Sequence, residues 1–158
     1  MRTEELAAAV LRQLGHEGKT LATAESCTGG LVGKLLTDIP GSSAVYVGGV
    51  ISYVNDVKRR LLGVSEETLR IYTAVSRQTA VEMARGAREI TRADVGVSVT
   101  GLAGPDGDGT GRPIGLVYIA LDMAGFSFNK ELHLSGDRAQ IREAAARAIF
   151  EMLLDCPL

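Results

Sequence analysis

The chain has 158 residues and a formal net charge of −2, with 46% hydrophobic and 23% charged residues. This balance is typical of a folded globular protein, and the length fits one domain over residues 1–158 with a substantial core. The composition lacks the basic block of a nucleic-acid-binding protein. With no Trp and 4% aromatic residues, it also lacks a platform for stacking bases.

The cysteines and the apolar runs bear on the cellular compartment. Cys27 and Cys156 are the only cysteines and lie far apart in the sequence, so they form no disulfide framework. The first residues carry charges without the apolar core of a signal peptide, and no apolar run approaches the length that spans a membrane. We therefore expect a cytoplasmic protein that has neither a membrane nor a nucleic acid as its partner.

Hydrophobic spacing predicts strands that alternate with helices along the chain. The predicted helices cover residues 3–15, 28–38, 55–62, a brief segment from Ser65, 76–91 and 137–154, and the predicted strands cover 20–25, 45–53, 95–100, 114–121 and 126–134. This alternation indicates an α/β fold built on a layered sheet, and the hairpin of the last two strands makes that sheet mixed. Asn55 or Asp56 is the expected cap of the helix at 55–62, and Ser76 caps the helix at 76–91.

The segment from Ala24 to Gly30 follows a buried strand and places a hydroxyl, a thiol, a second hydroxyl and two glycines before a helix. A helix N-terminus presents unpaired N–H groups and about half a positive charge, which suits a phosphate or a developing oxyanion. Ser26 is therefore either a nucleophile beside its own anion site or an ordinary N-cap, and spacing alone favours the cap. Cys27 is the alternative nucleophile, since the pKa of a thiol falls at a helix N-terminus.

A second candidate is the segment that ends at Lys58. Ligands of open α/β sheets gather at the carboxyl ends of the strands, and Ser26, Tyr53 and the glycine-rich loop 101–111 all follow such ends. Lys58 acts as a general base only if burial or a neighbouring cation lowers its pKa to about 7–8. The two arginines that follow it favour instead a solvated helix face, so spacing alone does not assign it to the site.

The glycine-rich loop after the strand at 95–100 is either a binding loop for a sugar phosphate or a surface turn. The segment that begins at Asp106 imitates a calcium loop, but its twelfth position is Val117 instead of Glu. The chain lacks the P-loop and dinucleotide fingerprints, and His16 and His133 have no partners at metal-ligand spacing. We expect neither a metal nor a cofactor.

Taken together, these segments resemble the CinA C-terminal domain family, whose stand-alone members are nicotinamide-nucleotide amidases. The resemblance covers residues 5–154 and depends on several motifs in order. They are Ala24-Glu25-Ser26-Cys27-Thr28-Gly29-Gly30, Asp38-Ile39-Pro40-Gly41-Ser42-Ser43-Ala44, Tyr53-Val54-Asn55-Asp56-Val57-Lys58, Gly63-Val64, Ala74-Val75-Ser76, Thr100-Gly101-Leu102-Ala103-Gly104-Pro105-Asp106-Gly107 and Gly136-Asp137-Arg138. Val54 stands where relatives often have Ser, and Arg112 where many have Lys; neither is a proposed catalytic group.

The resemblance implies a three-layer α/β/α sandwich with a mixed, mostly parallel sheet of about five strands. It also implies metal-free hydrolysis of the carboxamide of nicotinamide mononucleotide to nicotinate mononucleotide and ammonia. Ser26 would be the nucleophile, Lys58 the base and Tyr53 a supporting group.

The small-molecule nucleotide substrate needs further binding groups. The expected oxyanion donors are the backbone N–H groups of Thr28, Gly29 and Gly30. Candidates for the phosphate are Gly101, Ala103 and Gly104 of the loop, Ser42, Ser43, and Arg138 or Arg142. A small layered domain with this much apolar surface often dimerises, so we expect a homodimer or higher homo-oligomer.

Two other functions stay open. A non-catalytic nucleotide-binding module would hold a phosphate with the same glycine turns and use Ser26 only as a cap, whereas an amidase for another small amide would share the chemistry. The setting of Lys58 separates the module from the enzyme. An ammonium that is exposed and more than about 6 Å from Ser26 has no direct route for proton transfer.

Overall fold

A computed structural model describes residues 1–158 as an α/β fold around one five-stranded mixed sheet flanked by helices. The helices are α1 (Thr3–His16), α2 (Leu31–Thr37), α3 (Asn55–Leu62), α4 (Glu66–Tyr72), α5 (Arg77–Thr91) and α6 (Arg138–Asp155), with a 3-10 turn at Ser42–Ala44. The strands are β1 (Leu21–Glu25), β2 (Tyr46–Ile51), β3 (Val95–Gly101), β4 (Leu116–Met123) and β5 (Phe126–His133). None of the helices has the length and apolar character needed to cross a membrane.

The strand order is β2-β1-β3-β4-β5, with β1 parallel to β2 and to β3 and with antiparallel ladders from β3 to β4 and from β4 to β5. The prediction of a mixed five-stranded sheet with a terminal hairpin is confirmed, although its parallel part is confined to the half formed by β2, β1 and β3. The carboxyl ends of these three strands lie at one edge of the sheet, which is where ligands bind in open α/β folds.

Successive side chains along the inner strands point into two different apolar environments. Branched residues such as Leu21, Val97 and Ile119 join the largest core cluster with side chains of α1, α2 and α6. Small residues such as Ala22 and Ala120 pack in separate clusters with side chains of α5. Because the residues on this second face are small, α5 can approach the sheet closely: a Cβ on Gly96 would lie only 2.1 Å from the Ala84 carbonyl oxygen.

Several element boundaries differ from the predictions near the carboxyl edge. The helix expected from residue 28 begins at Leu31, because Gly29 and Gly30 have φ angles of 59° and 103° and extend the turn. The capping expectation for Asn55 or Asp56 is wrong, since the N-cap of α3 is Val54, without a side-chain hydrogen bond. The expected cap at Ser76 is confirmed: its hydroxyl accepts the Thr79 N–H.

Candidate active site

A cleft of about 270 Å³ lies at the carboxyl edge of the parallel strands. Its lining is drawn from the segments that follow β1, β2 and β3, from α3, from the α4–α5 connection and from the start of α6. The lining residues are Ser26, Cys27, Tyr53, Asn55, Lys58, Ala74, Val75, Thr100, Gly101, Leu102, Ala103, Gly104, Asp106, Asp108 and Arg138. A larger groove of about 500 Å³ follows the outer surface of α5 and contains neither Ser26 nor Lys58.

Ser26 and Lys58 are in direct contact in this cleft. The Nζ atom of Lys58 lies 3.0 Å from the Ser26 Oγ, and the lysine side chain is only 1% exposed. Lys58 is four residues before Leu62 on α3, and these two are the buried residues of that helix. Lys58 is therefore neither exposed nor distant from Ser26, and the geometry permits direct proton transfer between them.

The other partners of Lys58 are two main-chain carbonyl groups. Its Nζ donates to the carbonyl oxygen of Ser52 at 2.8 Å and to that of Tyr53 at 3.3 Å, and no carboxylate lies within ion-pair distance. An uncharged amine has two N–H donors and one lone pair. With both N–H groups on these carbonyls, its lone pair is left for the hydroxyl proton of Ser26.

The pKa of Lys58 reflects the same surroundings. Burial of the ammonium lowers the pKa of Lys58 from 10.5 to about 8. The cause is desolvation, which favours the neutral amine because no anion compensates the charge. With this pKa, about a tenth of Lys58 is uncharged at pH 7 and about half at pH 8, so the form that a general base requires is populated.

The turn after β1 is held by the buried carboxylate of Glu25. Its two oxygens accept the Thr28 hydroxyl at 2.6 Å and the N–H groups of Gly30, Val32 and Gly33 at 3.2, 2.9 and 3.0 Å. Glu25 therefore caps α2 from the end of the preceding strand and occupies the helix N-terminus with protein charge. It does not contact Lys58.

The N–H groups that remain without an acceptor lie earlier in the same turn. The Gly29 N–H donates to the Ser26 carbonyl, whereas those of Cys27 and Thr28 donate to no protein group. The Arg142 guanidinium donates to the carbonyl groups of Cys27 and Thr28 at 3.0 and 2.8 Å, and the first of these bonds holds the peptide unit that carries the Thr28 N–H. The unit that carries the Cys27 N–H is held by the Ser26 carbonyl, which accepts the Gly29 N–H. Donors held in this way beside a nucleophile are suited to stabilise an oxyanion.

Cys27 lines the cleft and is also part of the large core cluster, and its side chain is buried. Burial raises the pKa of the Cys27 thiol to about 11. The thiolate is the reactive form of cysteine, so this group is a poor nucleophile at neutral pH. The structure thus favours Ser26 over Cys27 within the turn.

A further part of the cleft is formed by Tyr53, Arg138 and the loop after β3. Arg138 donates to the Gly104 carbonyl and, at 3.2 Å, to the Tyr53 hydroxyl, so its guanidinium connects two sides of the cleft. The Tyr53 side chain is 60% exposed, and its contact with Lys58 is made through the main chain. The N–H groups of Ala103 and Gly104 have no acceptor in the protein.

The cleft brings together a part of the predicted site. Ser26, Lys58, Tyr53, Gly101, Ala103, Gly104 and Arg138 line it, but Thr28, Gly29 and Gly30 do not. Ser42 lines a separate depression beside α1, and Ser43 is an exposed residue of the same 3-10 turn. Arg142 does not line the cleft, and its guanidinium donates to the carbonyl groups of Cys27 and Thr28.

Ala74, Val75, Asn55, Asp106 and Asp108 were not predicted as site residues, although they line the cleft. Ala74 and Val75 belong to the connection between α4 and α5, and neither carries a reactive side chain that could mark it in the sequence. No group of three or more His, Cys, Asp or Glu side chains is placed to hold a metal ion.

Comparison with known proteins identifies one family. Residues 3–156 match the CinA C-terminal domain. The chain is 45% identical over 150 residues to a CinA-like protein of Syntrophomonas wolfei, with 95% of this chain and 36% of that protein covered. It is 43% identical over 153 residues to a CinA-like protein of Thermotoga neapolitana, with 97% and 37% covered. The chain thus spans about a third of the length of these curated relatives.

Solved structures extend the likeness to the fold. The crystal structure of the competence/damage inducible protein CihA from Agrobacterium tumefaciens superposes with a TM-score of 0.92 at 45% identity, covering 96% of this chain and 93% of that one. A CinA superfamily protein from Klebsiella pneumoniae gives 0.94 at 34% identity, covering 97% and 96%. Fold and site together define an α/β protein with a buried serine–lysine pair at the carboxyl edge of its sheet. The chain belongs to the CinA C-terminal domain family.

Proposed function

We propose that the protein hydrolyses the carboxamide of nicotinamide mononucleotide to nicotinate mononucleotide and ammonia, as in pyridine nucleotide recycling, with Ser26 as nucleophile and Lys58 as general base. The observation that carries this proposal is the 3.0 Å contact between Ser26 Oγ and Lys58 Nζ in a buried setting. Membership of the CinA C-terminal domain family supports the proposal, because the resemblance to this family implies an amidase.

In the first half of the reaction, neutral Lys58 takes the hydroxyl proton of Ser26 while the serine oxygen attacks the amide carbon. The negative charge develops on the carbonyl oxygen, and the free N–H group of Cys27, which lines the cleft, is the proposed donor to it. One such donor is typically worth about 2.7–4 kcal/mol of transition-state stabilisation. The protonated Lys58 then gives its proton to the leaving nitrogen, which departs as ammonia.

In the second half, water hydrolyses the ester between Ser26 and the nicotinoyl group. Lys58 takes a proton from the water, and the collapse of the second tetrahedral intermediate returns a proton to the serine oxygen. The Ser52 and Tyr53 carbonyl groups hold Nζ in place through both halves. Tyr53 is therefore proposed as a support of the base. Arg138 and the free N–H groups of Ala103 and Gly104 are the proposed phosphate-binding groups.

The test is ammonia release from nicotinamide mononucleotide in the presence of EDTA. We expect release by the wild type and losses of at least about 10³-fold in Ser26→Ala and Lys58→Ala, as for other nucleophile–base pairs. Lys34→Ala removes an exposed lysine and is the matched control, with unchanged release expected. A folded wild type that releases no ammonia but binds the nucleotide would instead be a binding module, and release from another amide would change the substrate.

We make three further proposals, which concern the architecture, the cellular location and the assembly of the protein. The domain is a three-layer α/β/α sandwich, which the alternation of core clusters along β1, β3 and β4 supports. The protein works in the cytoplasm, in keeping with its two unpaired cysteines. It forms a homodimer or higher homo-oligomer, for which the exposed Val47, Ile51 and Val54 at the β2 edge provide apolar surface. A light-scattering mass of one chain would refute the last of these proposals.

A further inference from the structure

The connection between α4 and α5 forms one wall of the cleft. Ala74 and Val75 line it, and both contact residues at the end of β3 or directly after it. The Ala74 carbonyl accepts the Thr100 hydroxyl at 2.8 Å, and the Val75 side chain is buried against Leu102 and Leu116. The position of this short connection therefore helps to set the shape of the cleft.

Thr73, directly before this wall, has an unusual backbone conformation. Its φ and ψ angles are 68° and 178°, a region that is almost restricted to glycine. The conformation is maintained in part by α5, because the Thr73 carbonyl accepts the Ser76 hydroxyl at 3.0 Å and the Thr79 hydroxyl at 2.7 Å. A residue persists in such a region only where the surrounding contacts hold it, and such residues concentrate at functional sites.

Arg112 supplies the contacts from the other side. It lies at the end of the glycine-rich loop, and its guanidinium donates to the Thr73 hydroxyl, to the Val75 carbonyl and, at 3.2 Å, to the Tyr72 carbonyl. No carboxylate lies within ion-pair distance of it. Both terminal nitrogens of the Arg112 guanidinium are thus engaged with a single turn, because the planar fork directs them to separate acceptors.

We infer that Arg112 is a positioning residue, which holds the strained 72–75 turn and thereby the cleft wall formed by Ala74 and Val75. This role rests on the proposed function only in that the substrate for the assay is nicotinamide mononucleotide. Arg112 acts through the turn and does not touch the reacting atoms. Its loss therefore weakens substrate binding while the contact between Ser26 and Lys58 is kept.

The first measurement is the steady-state kinetics of Arg112→Gln. We expect KM to rise about tenfold with kcat within about threefold of the wild type, the pattern of lost uniform binding. A general loss of folded enzyme would lower the apparent kcat and leave KM unchanged. Arg112→Lys keeps the charge and one donor centre, so we expect its KM to lie between those of the wild type and Arg112→Gln. Arg12→Gln, on the exposed surface of α1, is the control.

The second measurement distinguishes positioning from direct contact with the substrate. Glycine adopts the backbone conformation of Thr73 at no steric cost. In the double variant Arg112→Gln/Thr73→Gly, we therefore expect KM to return at least halfway to the wild-type value on a logarithmic scale. If Arg112 bound the substrate phosphate directly, Thr73→Gly would not restore KM, and that result would overturn the inference.

Hydrogen exchange over residues 69–80 gives a readout that needs no activity. We expect faster exchange in Arg112→Gln than in the wild type, and unchanged exchange in Arg12→Gln. If the wild type releases no ammonia, the proposed function has failed, and this comparison still decides the role of Arg112. Unchanged exchange in Arg112→Gln overturns the inference whether or not the protein is an amidase.

Discussion

The buried ammonium of Lys58 predicts a specific dependence of stability on pH. The pKa of Lys58 is lowered from 10.5 to about 8 by burial. At about 1.36 kcal/mol for each pH unit, this difference corresponds to a destabilisation of the folded state by about 3 kcal/mol when the lysine is protonated in both states. The unfolded chain binds the extra proton between these two pKa values, so the free energy of unfolding rises with pH across that interval.

The assay is urea denaturation of the wild type and of Lys58→Met at pH 7 and at pH 9.5. Methionine keeps the apolar stem and removes the titrating group, so the difference between the two proteins isolates Lys58. We expect the wild type to gain about 2 kcal/mol relative to the variant between the two pH values. The pKa of Lys34, which is raised by Asp38, lies above this interval, so Lys34→Met is expected to follow the wild type. Parallel pH profiles for the wild type and Lys58→Met would refute the assignment of a neutral lysine.

Four further results are expected. Amidase kcat/KM should rise about tenfold per pH unit below pH 8 and level off above it, because only neutral Lys58 acts as a base; a flat profile would contradict this. Cys27→Ala should keep at least about half of the wild-type activity, since the buried thiol lies in the core; complete loss in a folded variant would transfer the nucleophile role to Cys27. Glu25→Gln should lower the free energy of unfolding by at least about 2 kcal/mol in a denaturation assay, because an amide cannot accept all four hydrogen bonds. Gly86→Ala should cost about 1–3 kcal/mol and lower kcat, because its Cβ would lie 2.0 Å from the Leu62 carbonyl oxygen and displace α3 with Lys58; an unchanged kcat would show that α3 need not be held so closely.

Much of the fold could be predicted because its signals are local. The amphipathic spacing of α1, the buried runs of β1 and β3 and the cap at Ser76 each specify an element through neighbouring residues. The start of α2 could not be located in this way. The group that caps it, Glu25, lies on the preceding strand, six residues before Leu31, outside the range of ordinary capping patterns.

Lys58 illustrates how far the site itself could be predicted. In the sequence it is the first of three consecutive basic residues, which is typical of a solvated helix face. The signal that separates it from its neighbours is its spacing of four from Leu62, which places both on the buried face of α3. The spacing does not reveal that Ser26 lies at the end of this side chain, because that contact depends on the parallel pairing of β1 and β2.

In the turn between β1 and α2, the N–H groups of Cys27 and Thr28 are free, whereas other polar groups of the turn are hydrogen-bonded to one another, to Glu25 or to Arg142. The helix N-terminus was the obvious anion site in the sequence, but Glu25 occupies it and satisfies the first amides of α2. The Ser26 carbonyl accepts the Gly29 N–H, and the Cys27 carbonyl accepts from Arg142. The two peptide units that carry the free N–H groups of Cys27 and Thr28 are therefore each held through their own carbonyl group. In the proposed reaction, the N–H group of Cys27 is the donor that lies beside the serine oxygen at the cleft. Because the buried glutamate occupies the helix end, we propose that negative charge develops at the turn beside Ser26 and not at the N-terminus of α2.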